Sequence, residues 1–215
     1  MTMLGNHIDG AYAEYVAVPA KDLLELPASI PLEEASIIAD ATSTPYHAVK
    51  NRARVQPGDT VVIFGCGGVG INAVQLATAA GGYVIAVDIN ERKLEWATQF
   101  GAAKTINAAK VDRVSKEVKK LTGGGADVCL EVIGNPRTIE EAFECVRVGG
   151  RLCVVGYTSE AVSIVAGKIM FKEIEIVGSL GCRPLDYAPL IRMVEQGKID
   201  IKRQVTHRFK LEELT

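Results

Sequence analysis

The chain has 215 residues, 48% hydrophobic and 23% charged, with a formal net charge of −2. That is enough apolar material for one full core and part of a second domain. The near-neutral balance excludes nucleic acid or an anionic membrane as the main partner, because both require a concentrated basic face.

The N-terminal "MTMLGNHIDG" lacks the charged-then-apolar order of a signal peptide, and no 18-residue apolar span follows anywhere. "GAYAEYVAVPAKDLLELP" (10–27) carries short extended runs punctuated by turns, with no strand–helix rhythm. "ASIIADATSTPYHAV" (35–49) is an apolar helical run with a carboxylate, Asp40, set inside it. Pro45 cannot donate back to Ala41 and disfavours the helical conformation at Thr44. A break is therefore expected between Ala41 and Pro45, with Thr44 capping a new helix.

From residue 60 the pattern alternates regularly. "TVVIFG" (60–65) reads as a strand and 69–80 as an Ala-rich helix. "YVIAVD" (83–88) is a second strand, and "ERKLEWATQF" (91–100) a helix stopped by Gly101. "TIN" (105–107) is a weak third strand. "KVDRVSKEVKK" (110–120) is basic, but Val111, Val114, Val118 and Leu121 recur at helical spacing, so its lysines form the wet side of an amphipathic helix. "ADVCLEVIG" (126–134) is a fourth strand, and Pro136 opens a helix with Ile139, Ala142, Phe143 and Val146 on one face. "RLCVVG" (151–156) and "EIEIVGSL" (173–180) complete six strands, with a short helix near 163–171 between them and another around Tyr187 to Val194. Apolar strands separated by helices imply an α/β fold, a doubly wound parallel six-stranded sheet of the Rossmann type over residues 36–200. Residues 1–35 and 201–215, including the extended "QVTHRF" (204–209), are expected to be pieces of a second, β-rich domain, and "KLEELT" to open a helix. Cys66, Cys129, Cys145, Cys153 and Cys182 are odd in number and contain no CxxC pair. That usage suits reduced thiols and a cytoplasmic location better than disulfides or a zinc ribbon.

The run "VVIFGCGGVGINAVQLA" places Gly65-x-Gly67-x-x-Gly70 between a strand and a helix. Gly65 permits a tight turn, Gly67 lets backbone approach a pyrophosphate, and Gly70 lets the helix pack close to the strand. The helix start offers N–H groups and the positive end of a dipole to phosphates. Asp88 ends the next strand 18 residues after Gly70, where a carboxylate can accept from ribose hydroxyls. The bland alternative for Asp88 is an N-cap or a solvated strand end. The same carboxylate repels a 2′-phosphate and favours NAD over NADP, with Arg92 working against that preference. Methyltransferases that use S-adenosylmethionine share part of this pattern, but they usually carry an acid just before the first glycine, where this chain has Ile63 and Phe64.

Together "GAYAEYVAVP", "PGDTVVIFGCGGVG", "VDINERKLEWATQFGA", "GGGADVCLEVIG" and "GRLCVVG" resemble the medium-chain, zinc-type alcohol dehydrogenases, from about Gly10 to Phe209. The resemblance implies a GroES-like catalytic domain interrupted by the cofactor domain, and zinc-assisted hydride transfer between NAD and an alcohol or carbonyl substrate. By position it assigns Gly65, Gly67, Gly68, Val69 and Gly70 to the pyrophosphate loop, and Asp88 and Lys93 to the adenosine ribose. Val132, Ile133 and Gly134 fall on the adenine side. Val155, Gly156, Ser179 and Leu180 fall at the nicotinamide carboxamide, and Thr44 beside the nicotinamide. For the apolar members, buried strand packing is an equally good reading. Asp40 falls where the family sends its third catalytic zinc ligand, although it also reads as a solvated or hydrogen-bonded helix acid.

Catalytic zinc takes three protein ligands, the Cys2His set of alcohol dehydrogenase being a standing example. The family's other two ligands, a Cys and the His of a Gly-His-Glu motif, are not in this sequence, and neither is a four-Cys structural lobe. His7, in a terminal segment, and His47, read as a surface or capping side chain, do not replace them. The expectation is a partial chain that binds NAD, holds no stoichiometric zinc and turns nothing over by itself. Two other readings stay open: an NAD-binding module with no activity, and a zinc-independent quinone or enoyl reductase in which Asp40 is structural. The resemblance also implies a homodimer through the 173–180 edge strand.

Overall fold

The computed structural model describes residues 4–213. Six parallel strands form one sheet in the order β3-β2-β1-β4-β5-β6. Before the sheet come two short helices, α1 (Leu32–Ala35) and α2 (Ser43–Tyr46). The doubly wound unit then runs β1 (Thr60–Phe64), α3 (Gly68–Ala79), β2 (Tyr83–Asp88), α4 (Glu91–Gln99), β3 (Lys104–Asn107) and α5 (Val114–Thr122). It continues with β4 (Ala126–Glu131), α6 (Pro136–Cys145), β5 (Val146–Val154), α7 (Ala166–Lys172), β6 (Glu175–Gly178) and α8 (Pro184–Glu195). The strand order reverses between β1 and β4, which opens a crevice at the carboxyl ends of those two strands.

Alternate residues of each central strand enter opposite cores. Val61 and Ile63 of β1 pack under α3, α4 and α8, while Val62 and Phe64 pack under α5 and α6. These side chains are almost wholly buried, and each contributes about 1.5–3 kcal/mol relative to an exposed position. Four of the five cysteines, Cys66, Cys129, Cys145 and Cys153, are buried in the same layers, and Cys182 is half-buried. Burial pushes the Cys66 and Cys153 thiols up to about 12, with the Asp88 carboxylate adding to the effect at Cys66.

The expected helix break at Pro45 does not occur. The chain is helical from 38 to 52, as a π-helical turn (Ile38–Thr42), then α2, then a second π-helical stretch (His47–Arg52). The turns before Pro45 are widened: Thr42 N–H reaches back five residues to the Ile37 carbonyl, and the Ser43 hydroxyl bonds the Ala39 carbonyl at 3.0 Å. The ends also depart from a strand-rich picture. The runs at 10–27 and 204–209 meet no partner strand among the described residues, so neither forms a ladder; apart from α1, the described ends carry a Leu4–Ile8 bridge and 3-10 turns. The described part of "KLEELT", residues 210–213, holds one such turn, Leu211–Glu213; Leu214 and Thr215 lie outside the described residues. No described helix is long and apolar enough to cross a membrane.

Candidate functional site: a cleft at the carboxyl ends of β1, β2 and β4

A cleft of about 1060 Å³ lies at the point where the strand order reverses. Gly65, Gly67, Gly68, Val69, Gly70, Asp88, Lys93, Val132 and Ile133 all line it. The loop between β1 and α3 shows why glycines sit there. Gly65 has a φ of +98°, and a Cβ on Gly70 would stand 1.9 Å from the Gly65 carbonyl oxygen, so the helix lies directly on the turn. A Cβ on Gly67, by contrast, would meet nothing within 4 Å. No side chain caps the N-terminus of α3, which leaves its first N–H groups for a ligand. This is a cradle that fits a pyrophosphate.

Asp88 is buried at the end of β2. Its Oδ2 accepts the Cys66 N–H at 2.8 Å and its Oδ1 accepts the Asn90 N–H at 2.9 Å. The carboxylate therefore ties the glycine loop to the strand end beside it. Each oxygen retains acceptor capacity for a vicinal diol. Asn90 caps α4 through Arg92 N–H and Lys93 N–H, which sets Lys93 at the rim of the cleft.

The remaining residues singled out from the sequence lie elsewhere. Gly134 and Gly156 pack on one another, since a Cβ on Gly156 would come within 2.0 Å of the Gly134 nitrogen. Val155 N–H and Gly156 N–H both donate to the Glu131 carbonyl, and Ser179 N–H donates to the Val154 carbonyl. The Ser179 hydroxyl is buried and has no hydrogen-bond partner, whereas Leu180 projects into solvent. Asp40 is exposed, and the Thr44 hydroxyl donates to its Oδ1 at 2.6 Å.

Among the described residues no three His, Cys, Asp or Glu side chains are grouped so as to hold a metal ion. Asp40, hydrogen-bonded by the neutral Thr44 hydroxyl, does not fit a zinc centre by itself. His47 is not a surface residue. Its Nδ1 lies 2.8 Å from Asp186 Oδ2, with its side chain only 12% exposed, and Asn51 donates to Asp186 Oδ1 at 2.9 Å. Asp186 also accepts from the Arg183 backbone N–H and guanidinium. Burial alone would raise the Asp186 carboxyl, but the bonds from Arg183, His47 and Asn51 outweigh it and hold the group well below the usual carboxylate range.

One residue that sequence reasoning passed over is Glu131, the last of β4, which is completely buried. Its Oε1 accepts from Ile133 N–H and Gly134 N–H, each at 3.0 Å, and from the Thr138 hydroxyl at 2.8 Å. A carboxylate closing an apolar strand just before Gly134 was the only signal available.

Residues 68–196 match the family described as zinc-binding dehydrogenases. Over 98% of its length the chain is 35% identical to an L-threonine 3-dehydrogenase of Bacillus licheniformis. It is likewise 35% identical, over 98% of its length, to an NAD-dependent alcohol dehydrogenase of Sulfurisphaera tokodaii. It spans 61% and 60% of those two relatives. A solved structure from Sinorhizobium meliloti 1021 bound to NADP superposes with a TM-score of 0.84 and 30% identity, over 93% of this chain and 59% of that one.

Proposed function

The chain belongs to the zinc-binding dehydrogenase family, and from that premise we propose that it supplies the cofactor site of an NAD-dependent oxidoreductase acting on an alcohol or carbonyl substrate. The observation that carries this reading is the cleft itself, in which an open glycine cradle and the Asp88 carboxylate stand in the order a dinucleotide presents its pyrophosphate and a ribose. Bound there, the nicotinamide supplies the hydride acceptor or donor; the chain's own residues hold the phosphates, orient the sugar and exclude water. Asp88 favours NAD, because a 2′-phosphate would bring negative charge against a carboxylate that two backbone donors keep in place.

The Thr44–Asp40 bond favours a second reading for that helix, in which Asp40 is a structural acceptor and zinc takes no part in what this chain does. A zinc-independent reductase or a cofactor-binding module would both use it so. The same proposal takes the protein to be cytoplasmic and homodimeric, with copies pairing along β6, one of the two edge strands of the sheet.

Trp96, the only tryptophan, lies one turn beyond Lys93 on α4 and packs edge-on against Phe100. NADH titrated into the full chain is expected to quench Trp96 and to emit by energy transfer from it. No transfer and no quenching at about millimolar NADH, a concentration well above the usual range of cofactor affinities, would sink the cofactor reading.

A further inference from the structure

We propose that Glu131 is a positioning residue for the cofactor, one that turns the β4 wall of the cleft into a row of hydrogen-bond acceptors. The inference rests on the cofactor reading of the cleft. Glu131 is fully buried and forms no ion pair among the described residues; neutral donors alone satisfy its charge. A charge in that setting is expensive unless every lone pair is used, so its neighbours must turn their donors inward. Ile133 N–H and Gly134 N–H do so.

The peptide groups are planar and none is cis. When the N–H groups of 133 and 134 point in at Glu131, the carbonyls of Val132 and Ile133, which belong to the same two peptide planes, point away from it. Val132 and Ile133 both line the cleft. Among the described residues no donor reaches either carbonyl oxygen. Val132 N–H, the remaining donor of this turn, is used on the Phe64 carbonyl of β1.

The next helix is closed as well. Asn135 caps α6 by accepting from Arg137 N–H, in contrast to the uncapped start of α3 across the cleft. The two loops thus present opposite chemistry. The β1–α3 loop offers donors and suits phosphate. The β4–α6 loop offers bare acceptors in front of a buried negative charge and suits sugar hydroxyls or an amino edge. Glu131 fixes this division and so sets which part of the dinucleotide lies against which wall. It touches no ligand itself; Thr138, one turn into α6, braces the carboxylate from the other side.

The test is NADH affinity of the full chain, read by fluorescence, alongside thermal unfolding. Gly134 N–H also reaches Glu131 Oε2 at 3.2 Å, so Glu131→Gln keeps the shape but sets an amide N–H against that backbone donor. It should weaken NADH binding about tenfold, the scale of losing a hydrogen bond to a charged group, at a temperature where the variant remains folded. Thr138→Val should weaken it in the same direction, and Thr138→Ser, which keeps the hydroxyl, should restore it. Unchanged affinity in folded Glu131→Gln would overturn the proposal. If Glu131→Gln does not fold, the Thr138 pair decides, and equal affinity for Val and Ser overturns it. Absence of NADH binding by the unaltered chain would remove the cofactor reading and this inference together.

Discussion

Gly67 and Gly70 sit three positions apart in surroundings that are opposite in kind. Gly67 has ordinary extended φ and ψ and open space where a side chain would project; Gly70 has the Gly65 carbonyl there. Gly67→Ala is therefore expected to unfold within about 2 °C of the parent while losing at least about tenfold in NADH affinity, since its methyl occupies the ligand's approach. Gly70→Ala should cost about 3 kcal/mol or more of stability, because neither strand nor helix can retreat by the distance required. Thermal unfolding and NADH titration of the two variants separate the roles, and a stable Gly70→Ala would contradict the packing described. These glycines were legible in the sequence because the demand on each is local. Glu131 and His47 were not. A terminal strand carboxylate looks solvated until the turn after it is seen to fold back. His47 looks like a surface residue until Asp186, 139 positions away, arrives beside it.

At the level of elements, the helical run 38–52 and α8 share an apolar core and are also joined by a polar seam. Asp186 bonds His47 and Asn51, and the Tyr187 hydroxyl donates to the Ala39 carbonyl. The Asp186 carboxyl titrates lower in the folded chain than in the unfolded one. Its stabilisation is thus complete above the unfolded value of about 3.9 and is lost as pH falls below it toward the folded value. Urea unfolding between about pH 5 and pH 3 should show stability declining, and Asp186→Asn should be less stable at the upper end with a shallower decline. Parallel declines in parent and variant would show that the seam carries no such linkage. Pro45 marks the limit of propensity reasoning for this pair of elements. Its missing donor removes the ordinary bond to the Ala41 carbonyl, yet the helix carries on between widened turns on either side of it. The strands were easier to read, since β1 and β2 are rich in β-branched residues and β4 is mostly apolar, as burial on both faces requires.

For the whole molecule, the donor inventory bears on metal content. Asp40 stands exposed with Thr44, and no triad of His, Cys, Asp or Glu gathers among the described residues. The purified 215-residue chain, dialysed without chelator, is expected to carry well under one zinc and to oxidise no alcohol with NAD. Tightly held metal at one per chain, found by elemental analysis, would reverse that. The six parallel strands and the helices covering both faces were legible in the sequence, but the absence of ladders at the ends was not, because an extended run becomes a strand only when another presents a partner edge. The placing of the thiols has a further consequence. Four lie inside the two layers and one lies partly at the surface, so the intact protein shows a sulfhydryl reagent a single accessible group. The other four come into view only when the sheet parts from its helices. Their rate of modification is a clock for rare global openings, and Cys182 is the internal standard against which that clock can be set.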